Sequence, residues 1–396
     1  MVCGDCGLMT NCFASACSLL CLLTLAASSI ATAHDHGVTS LDENRRPQHR
    51  KNLRVPELPG FKTLKCDFHM HTVFSDGMVW PNIRVQEAWQ EGLDSICITD
   101  HIEHQPHKKD LPTNHNRSYE IAKGPADQAN VLLIRGSEVT RGTPPGHFNA
   151  LFLEDSSKLV EEKGAAADQL ALDAAASQKA FIFWNHPGWK AQQIEGSYEW
   201  IPFVEKLHQE GKLHGIEVIN GFGFHRKALD WCLDRKLAVM GTSDIHNLTA
   251  NDYDFANGRT RSMTLVFAKD RTTTSIREAL EAGRTVAWSS EYLAGSEELL
   301  SGLVKGAVTI GPVFHTDEKG VAFREISNDS SLTFTLLESG EKSGFPEAIE
   351  LNPGTTKILS CRNMPAAMEK ASYRVKNAFV RSDRNLTVGL STLVKQ

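Results

Sequence analysis

Histidine and carboxylate side chains recur at short spacings in this sequence. The stretch CDFHMHTVFSDG, residues 66 to 77, carries His69 and His71 two positions apart, and SDIH carries Asp244 and His246 at the same spacing. Because side chains at positions i and i+2 of a strand point the same way, each pair can present two ligands on one face. Imidazole nitrogens and carboxylate oxygens are donors that zinc, iron and manganese accept. We therefore predict a divalent-metal site.

Other short apolar runs also end in polar residues. These are Asp100 and His101, Glu138, His186, and Glu217 with Asn220. The runs alternate with helical patterns such as PNIRVQEAWQEG, where Pro81 suits a helix start and Val85 and Trp89 share a face. Alternating strands and helices predict a parallel sheet, open or closed into a barrel, whose strand ends share one face. Six strands would then place polar groups on the same face. A single histidine at a strand end usually has an ordinary structural role, but this repetition favours a metal site.

Ser75, in the stretch FSDG, is the one residue here that suggests a covalent nucleophile. The sequence pattern places no general base with an orienting partner near Ser75. Serine before Asp-Gly is typical of a turn. We predict that Ser75 shapes a turn and that the nucleophile is a water molecule.

Composition and patterning outline the domains. The 396 residues, 41% hydrophobic and 23% charged, suffice for two globular domains. A formal charge of -6 without a basic block argues against a nucleic-acid partner. Residues 34–60 are polar and rich in proline, as in a linker or arm. The βα pattern occupies residues 61–290, and short alternating segments over 291–396 predict a smaller antiparallel β domain.

The N-terminus has the features of an export signal. Residues 12–30 are apolar and precede Ala31-Thr32-Ala33, a cleavage pattern before His34. The preceding segment contains Asp5 and no lysine or arginine, so an uncleaved anchor and a buried N-terminal helix remain open. We predict a signal peptide over 1–33, a periplasmic or secreted protein, and no stable membrane span after cleavage.

The stretches FHMHTVFSDG, ITDH, GSEVT, WNHPG and SDIH, in this order and spacing, resemble the PHP (polymerase and histidinol phosphatase) metallophosphoesterases. The resemblance covers roughly residues 61–290 and implies a distorted (β/α)7 barrel. It also implies two or three divalent ions of manganese, iron or zinc.

The resemblance further implies a ligand set. A first metal would bind His69, His71, Glu138 and Asp244. Glu138 would bridge to a second metal held by His147 and His186. A third metal would bind Asp76, His101 and His246.

Further stretches, including TDHIEHQPHKKD, GIEVINGFGFH and YRVKNAFV, resemble an exported branch of phosphodiesterases that act on small organophosphate diesters. Hydrolysis would proceed by attack of a metal-bridging hydroxide, with Glu138 and Asp244 at the reacting centre. Arg117 is our choice for gripping the phosphate oxygens, since a guanidinium fork suits them, and His225 for contacting the leaving group. A phosphomonoesterase on the same metals and a non-catalytic metal- or phosphate-binding module are the alternatives, and oligomeric state is left open.

Overall fold

The computed structural model describes residues 41–44, 48–142, 146–159, 165–189 and 198–394. The chain divides into two units, Met1–His49 and Arg50–Gln396. The predicted signal peptide lies outside the described residues, and the first unit contributes one described 3-10 turn, Asp42–Asn44. Across the described part of the chain, no helix is both long and apolar enough to span a membrane.

A barrel-like sheet forms the first part of the second unit. Its strands are β1 Lys62–Asp67, β2 Ser95–Ile98, β3 Leu132–Val139, β4 Phe148–Leu151, β5 Phe181–Trp184, β6 Gly215–Asn220, β7 Gly223–Phe224, β8 Ala238–Thr242, β9 Met263–Ala268, β10 Thr285–Trp288 and β11 Leu293–Gly295. The pairs β1–β2, β2–β3, β5–β6 and β6–β8 are parallel. Most residues of these strands are buried, as expected for a sheet covered on both faces.

Helices cover the outside of this sheet. They are α1 Pro81–Gln90, α2 Arg117–Ala129, α3 Ala165–Ser177, α4 Pro202–Gln209, α5 Arg226–Arg235, α6 Thr249–Asp252 and α7 Thr273–Glu281. Pro81 occupies the first turn of α1, where the missing N–H is not needed. Helix α2 contains Gly124 and Pro125, which lower helix propensity.

Two departures from an all-parallel sheet distort the barrel. Strand β4 runs antiparallel to both β3 and β5, and β9 runs antiparallel to both β1 and β10. The short connection from β3 to β4 allows a hairpin, whereas a parallel pair needs a long crossover. Strand β8 approaches β9 through Gly241, whose N–H donates to Thr264 Oγ1 at 3.0 Å. A Cβ on Gly241 would lie 2.4 Å from the Met263 carbonyl oxygen, so this close approach requires glycine.

The C-terminal part of the chain is rich in antiparallel strands. Helix α8 Glu297–Ala307 leads into β12 Val308–Thr316, β13 Val321–Asn328, β14 Phe334–Glu338, β15 Ala348–Leu351, β16 Thr356–Arg362, α9 Met364–Lys370, β17 Ser372–Phe379 and β18 Asn385–Gly389. Strands β12, β13 and β16 form a separate antiparallel sheet. Strand β17 pairs in parallel with β11, so the large sheet continues into this region. The predicted fold class, a distorted (β/α)7 barrel with a smaller antiparallel β domain, is confirmed; the boundary at residue 290 stays a prediction.

Candidate metal centre

The segments that follow β1 and β8 lie side by side at one end of the barrel. The Asp244 N–H donates to the His69 carbonyl at 2.9 Å, and the His71 N–H donates to the Ile245 carbonyl at 3.0 Å. These bonds set the register of the two segments. The two pairs that the sequence singled out, one from each segment, are therefore neighbours.

A first group of candidate ligands consists of His69, His71 and Asp244. The Nε2 atoms of both histidines lie 3.1 Å from Asp244 Oδ1 and 3.1 Å from each other. Both histidine side chains are fully buried. Asp244 adopts a left-handed backbone conformation, with φ of 52°. Such strain is common where the surrounding structure holds a functional side chain in place.

Glu138 joins this first group to a second one, which consists of Glu138, His147 and His186. Its Oε2 lies 3.1 Å from His69 Nε2 and 3.3 Å from His71 Nε2. Its Oε1 lies 2.9 Å from His147 Nδ1 and 3.8 Å from His186 Nε2. One carboxylate therefore presents a different oxygen to each group, which is the arrangement of a bridging ligand.

A third group consists of His71, Asp76, His101 and His246. Asp76 Oδ1 lies 3.3 Å from His246 Nε2, 3.5 Å from His101 Nε2 and 3.8 Å from His71 Nδ1. The rings of His101 and His246 stack on that of His71, with centroids 4.4 Å and 4.2 Å away. His71 thus faces the first group with Nε2 and the third with Nδ1, although the resemblance assigned it to one metal only.

Hydrogen bonds hold the turn between His71 and Asp76. Asp100 accepts from the Thr72 N–H, the Thr72 hydroxyl and the Ser75 hydroxyl, each at 2.7 Å. Ser75 lies in a turn, as predicted from the sequence. A Cβ on Gly77 would come within 2.5 Å of the His71 carbonyl carbon, so this close approach also requires glycine.

Glu217 supports two of the groups from behind. Its Oε1 lies 2.7 Å from His69 Nδ1 and accepts from the Thr242 hydroxyl at 2.6 Å. Its Oε2 accepts from the His186 N–H and the Asn220 amide, both at 2.7 Å. The sequence placed Glu217 and Asn220 at a strand end without giving either a role. Partners of this kind orient ligating imidazoles and raise their basicity.

Arg84, on α1, holds the two ligand-bearing segments together. Its side chain is fully buried, and its guanidinium donates to five acceptors. These are the carbonyls of His71, Ile245, His246 and Asn247 and the carboxylate of Glu87, at 2.7 to 3.2 Å. Nothing in the sequence pattern distinguishes Arg84 from a surface arginine, because its partners are mostly main-chain atoms far along the chain.

Mutual electrostatics shift the pKa values of these groups in opposite directions. Burial by itself raises the pKa of Asp244, but His69 and His71 outweigh it and hold that pKa well below its usual value. Burial, together with His101 and His246, lowers the pKa of His71 to about 3. Burial opposes charge on His101, yet Glu138 and Asp76 raise its pKa to about 9. Strong opposing shifts concentrated in one place are typical of functional sites.

The two remaining predicted residues differ in their placement. His225 is buried near the centre, and burial lowers its pKa to about 4, with Glu217 opposing and His186 adding to the shift. Arg117 begins α2, is half exposed and pairs with Glu120 at 3.0 Å. Neither residue contacts the metal groups among the described residues, but His225 lies close enough to Glu217 and His186 for their charges to shift its pKa. His104 lies between β2 and α2, and its Nε2 is 3.8 Å from Asp76 Oδ2.

The residues present fit divalent cations. The donors are nitrogen and oxygen, which suits manganese, iron or zinc. Two buried atoms, Asp76 Oδ1 and His186 Nδ1, make no hydrogen bond of ordinary geometry within the described residues. Buried polar atoms rarely lack a hydrogen-bond partner, and an ion beside Asp76 would satisfy its carboxylate.

Known proteins resemble this chain to different degrees. An Ig-like domain family matches residues 308–391. A protein of Bifidobacterium adolescentis assigned as a metal-dependent phosphoesterase is 17% identical, with 46% of this chain and 87% of its own covered and a TM-score of 0.35. An amidohydrolase from Chromobacterium violaceum, solved with sulfate and no metal, is 14% identical, with 47% and 89% covered and a TM-score of 0.35. No curated protein matches the sequence.

A much closer likeness is to the crystal structure of a two-domain protein from Bacteroides vulgatus that contains a predicted PHP-like metal-dependent phosphoesterase. It is 42% identical over 87% of this chain and 99% of its own, with a TM-score of 0.80. That degree of identity over nearly all of the relative shows common family membership, and the His, Asp and Glu groups fit divalent-metal binding. This chain therefore belongs to the PHP-like metal-dependent phosphoesterases.

Proposed function

We propose that this metal-dependent phosphoesterase is an exported phosphodiesterase that hydrolyses small phosphate diesters. The observation that carries the proposal is the placement of Glu138, which directs one oxygen toward His69 and His71 and the other toward His147 and His186. Such an arrangement suits two neighbouring cations that act together on one phosphorus centre.

Three groups of side chains would hold two or three divalent ions. The first is His69, His71 and Asp244, the second is Glu138, His147 and His186, and the third is His71, Asp76, His101 and His246. When bound, the ions supply charge neutralisation at the phosphoryl oxygens and a lowered pKa for a coordinated water. The proposal includes manganese, iron and zinc as candidate ions, because this donor set accepts all three.

The chain's own residues orient this centre and handle a proton. Glu217 accepts from His69 Nδ1, which leaves Nε2 free for the centre. The Asn185 amide donates to Glu138 Oε1 at 3.0 Å and restrains that carboxylate. His225, neutral near pH 7 because burial lowers its pKa to about 4, would donate a hydrogen bond from its ring N–H to the leaving-group oxygen.

The charges around the centre favour a diester over a monoester. The ion pairs that the described residues make with the metal groups involve imidazoles, and none involves lysine or arginine. A monoester dianion presents more negative charge than a diester and is commonly gripped by converging guanidinium or ammonium groups. Arg117, which would have supplied such a group, pairs with Glu120 instead.

The test is an assay of metal-stripped protein reloaded separately with Mn(II), Zn(II) or Fe(II). We expect bis(p-nitrophenyl) phosphate to be hydrolysed with a higher kcat/KM than p-nitrophenyl phosphate. Glu138→Gln should abolish turnover and metal retention, whereas Glu350→Gln, on the exposed face of β15, should change neither. No turnover of either ester with any metal would contradict the enzyme proposal, and a preference for the monoester would contradict the diesterase proposal.

Export is the second part of the proposal. It rests on the apolar run over residues 12–30 and the cleavage pattern Ala31-Thr32-Ala33. N-terminal sequencing of the protein from its native host should give His34 as the first residue. A native protein that starts at Met1 in the cytoplasmic fraction would contradict this part alone.

A further inference from the structure

Two adjoining pockets lie between the barrel and the Ig-like region. The first has a volume of about 370 Å³ and the second of about 1080 Å³. Both are lined by Asp254, Arg259, Thr260, Ser290, Glu291 and Tyr292, so they form one continuous cleft, which we call the interdomain groove. The second pocket extends to Thr335 on β14 and to Lys376 on β17, which belong to the Ig-like region.

The interdomain groove begins beside the metal centre. The Asn220 amide donates to Asp244 Oδ2 at 3.2 Å, and the next residue, Gly221, lines the first pocket. The Gly221 N–H donates to the Thr242 carbonyl at 2.9 Å, which ties this wall to the end of β8. The first pocket therefore lies one residue along the chain from a side chain that contacts Asp244.

An exposed aromatic ring stands at the entrance. Phe222 lies in the tight turn between β6 and β7, and 79% of its surface is exposed. Its ring centroid lies 5.0 Å from that of Tyr253, whose buried hydroxyl lies in the wall of the same pocket without a hydrogen bond of ordinary geometry. A large apolar ring held in solvent on a short turn suggests a stacking surface for a ligand.

The remaining walls carry hydroxyl, amide, carboxylate and cationic groups; Arg226, Arg374 and Lys376 line the second pocket, and none of the three forms an ion pair with a carboxylate among the described residues. Arg259 is paired with Glu291 at 2.9 Å, while neither Asp252 nor Asp254 has a basic partner among the described residues. Serine and threonine hydroxyls alternate with these charges along both pockets. Such a lining both donates to and accepts from the hydroxyl groups of a polyol.

We propose that the interdomain groove binds a sugar-like, polyhydroxylated alcohol, the organic substituent of the phosphate diester whose phosphorus lies at the metal centre. The proposal rests on the phosphodiesterase function proposed above. The flat face of a sugar ring would stack on Phe222, and its hydroxyls would bond to the Ser, Thr and Asp side chains of the walls. The Ig-like region would then contribute to substrate selection through residues such as Thr335.

Three p-nitrophenyl diesters with the same leaving group test the groove. They are the esters of glucose 6-phosphate, of methyl phosphate and of phosphocholine. We expect the glucose ester to have the highest kcat/KM. The ratio of kcat/KM between the glucose and methyl esters should fall roughly five- to tenfold in Phe222→Ala, mainly through KM, because a stacking contact is lost. Thr335→Val should lower the same ratio by a smaller factor.

Matched controls exist on the same chain. Phe314→Ala removes another exposed phenylalanine, and Thr387→Val another exposed threonine, both outside the groove lining. Both should keep the wild-type ratio. An equal ratio in wild type and Phe222→Ala would overturn the groove proposal, and so would a preference for the phosphocholine ester, which would indicate a cation site.

A binding measurement separates this proposal from the catalytic one. Isothermal titration calorimetry of the metal-loaded protein with maltotriose should show binding that Phe222→Ala weakens and Phe314→Ala preserves. Sugar binding without turnover of any diester would contradict the phosphodiesterase function and support the groove. Turnover without sugar binding or sugar preference would contradict the groove and leave the function supported.

Discussion

Nδ1 of His69 lies 2.7 Å from Oε1 of Glu217, and both side chains are completely buried. Since a carboxylate can only accept, Nδ1 carries a proton, and Nε2 is the nitrogen left for a cation, on the side of Glu138 and Asp244. Two residues 148 positions apart in the chain thereby determine which nitrogen of His69 can bind a metal.

The first prediction concerns Glu217→Gln. All four neighbours of this carboxylate are donors, so the amide nitrogen of glutamine would face two of them. We expect metal affinity to fall about tenfold or more. Competition with a fluorescent chelator measures it, and Glu350→Gln, an exposed position on β15, is the control. Unchanged affinity would show that Glu217 does not orient the ligands.

The second prediction concerns Arg84→Lys. A lysine cannot replace the guanidinium contacts to four carbonyls and Glu87, and buried acceptors would be left unpaired. We expect the free energy of unfolding to fall by about 3–5 kcal/mol. Urea denaturation followed by circular dichroism measures this. Arg362→Lys, at an exposed position on β16, should stay within about 0.5 kcal/mol of wild type.

The third prediction is a pH dependence of metal binding. In the metal-free protein Glu138 and Asp76 overcome the effect of burial and raise the pKa of His101 to about 9, so His101 is protonated at neutral pH. A metal must displace that proton, and affinity should therefore rise with pH by up to about tenfold per unit until pH 9. Calorimetry in buffers of different ionisation enthalpy counts the released protons. His101→Asn should release fewer protons than wild type; an equal release would contradict the assignment.

The fourth prediction separates His225 from Arg117. His225 is buried and feels the charges of Glu217 and His186, whereas Arg117 is half exposed and paired with Glu120. We expect His225→Ala to lower kcat for bis(p-nitrophenyl) phosphate by about 100-fold, the usual contribution of a positioned proton donor or acceptor. Arg117→Ala should lower kcat/KM less than threefold, roughly the effect of losing an exposed ion pair. A large loss with Arg117→Ala would instead support the phosphate-gripping role suggested by the sequence.

Residue types and spacing were sufficient to propose much of the candidate site. The pairs His69 with His71 and Asp244 with His246 could be placed after strands because each follows an apolar run, and this pattern is local. The alternation of apolar runs with helical patterns likewise indicated the barrel, since each element carries its own pattern. The C-terminal alternation of buried and exposed residues indicated the antiparallel β region in the same way.

Other features depended on contacts that no local pattern encodes. The shared position of His71 between two groups, the support of His69 by Glu217 and the fivefold anchoring by Arg84 all follow from the register between distant segments. That register is set by main-chain bonds such as Asp244 N–H to the His69 carbonyl. The antiparallel course of β4 and β9 also depended on tertiary pairing. The sequence by itself therefore determined which side chains could bind metals, and only the tertiary structure decided how they are grouped, because grouping is a property of packing between elements.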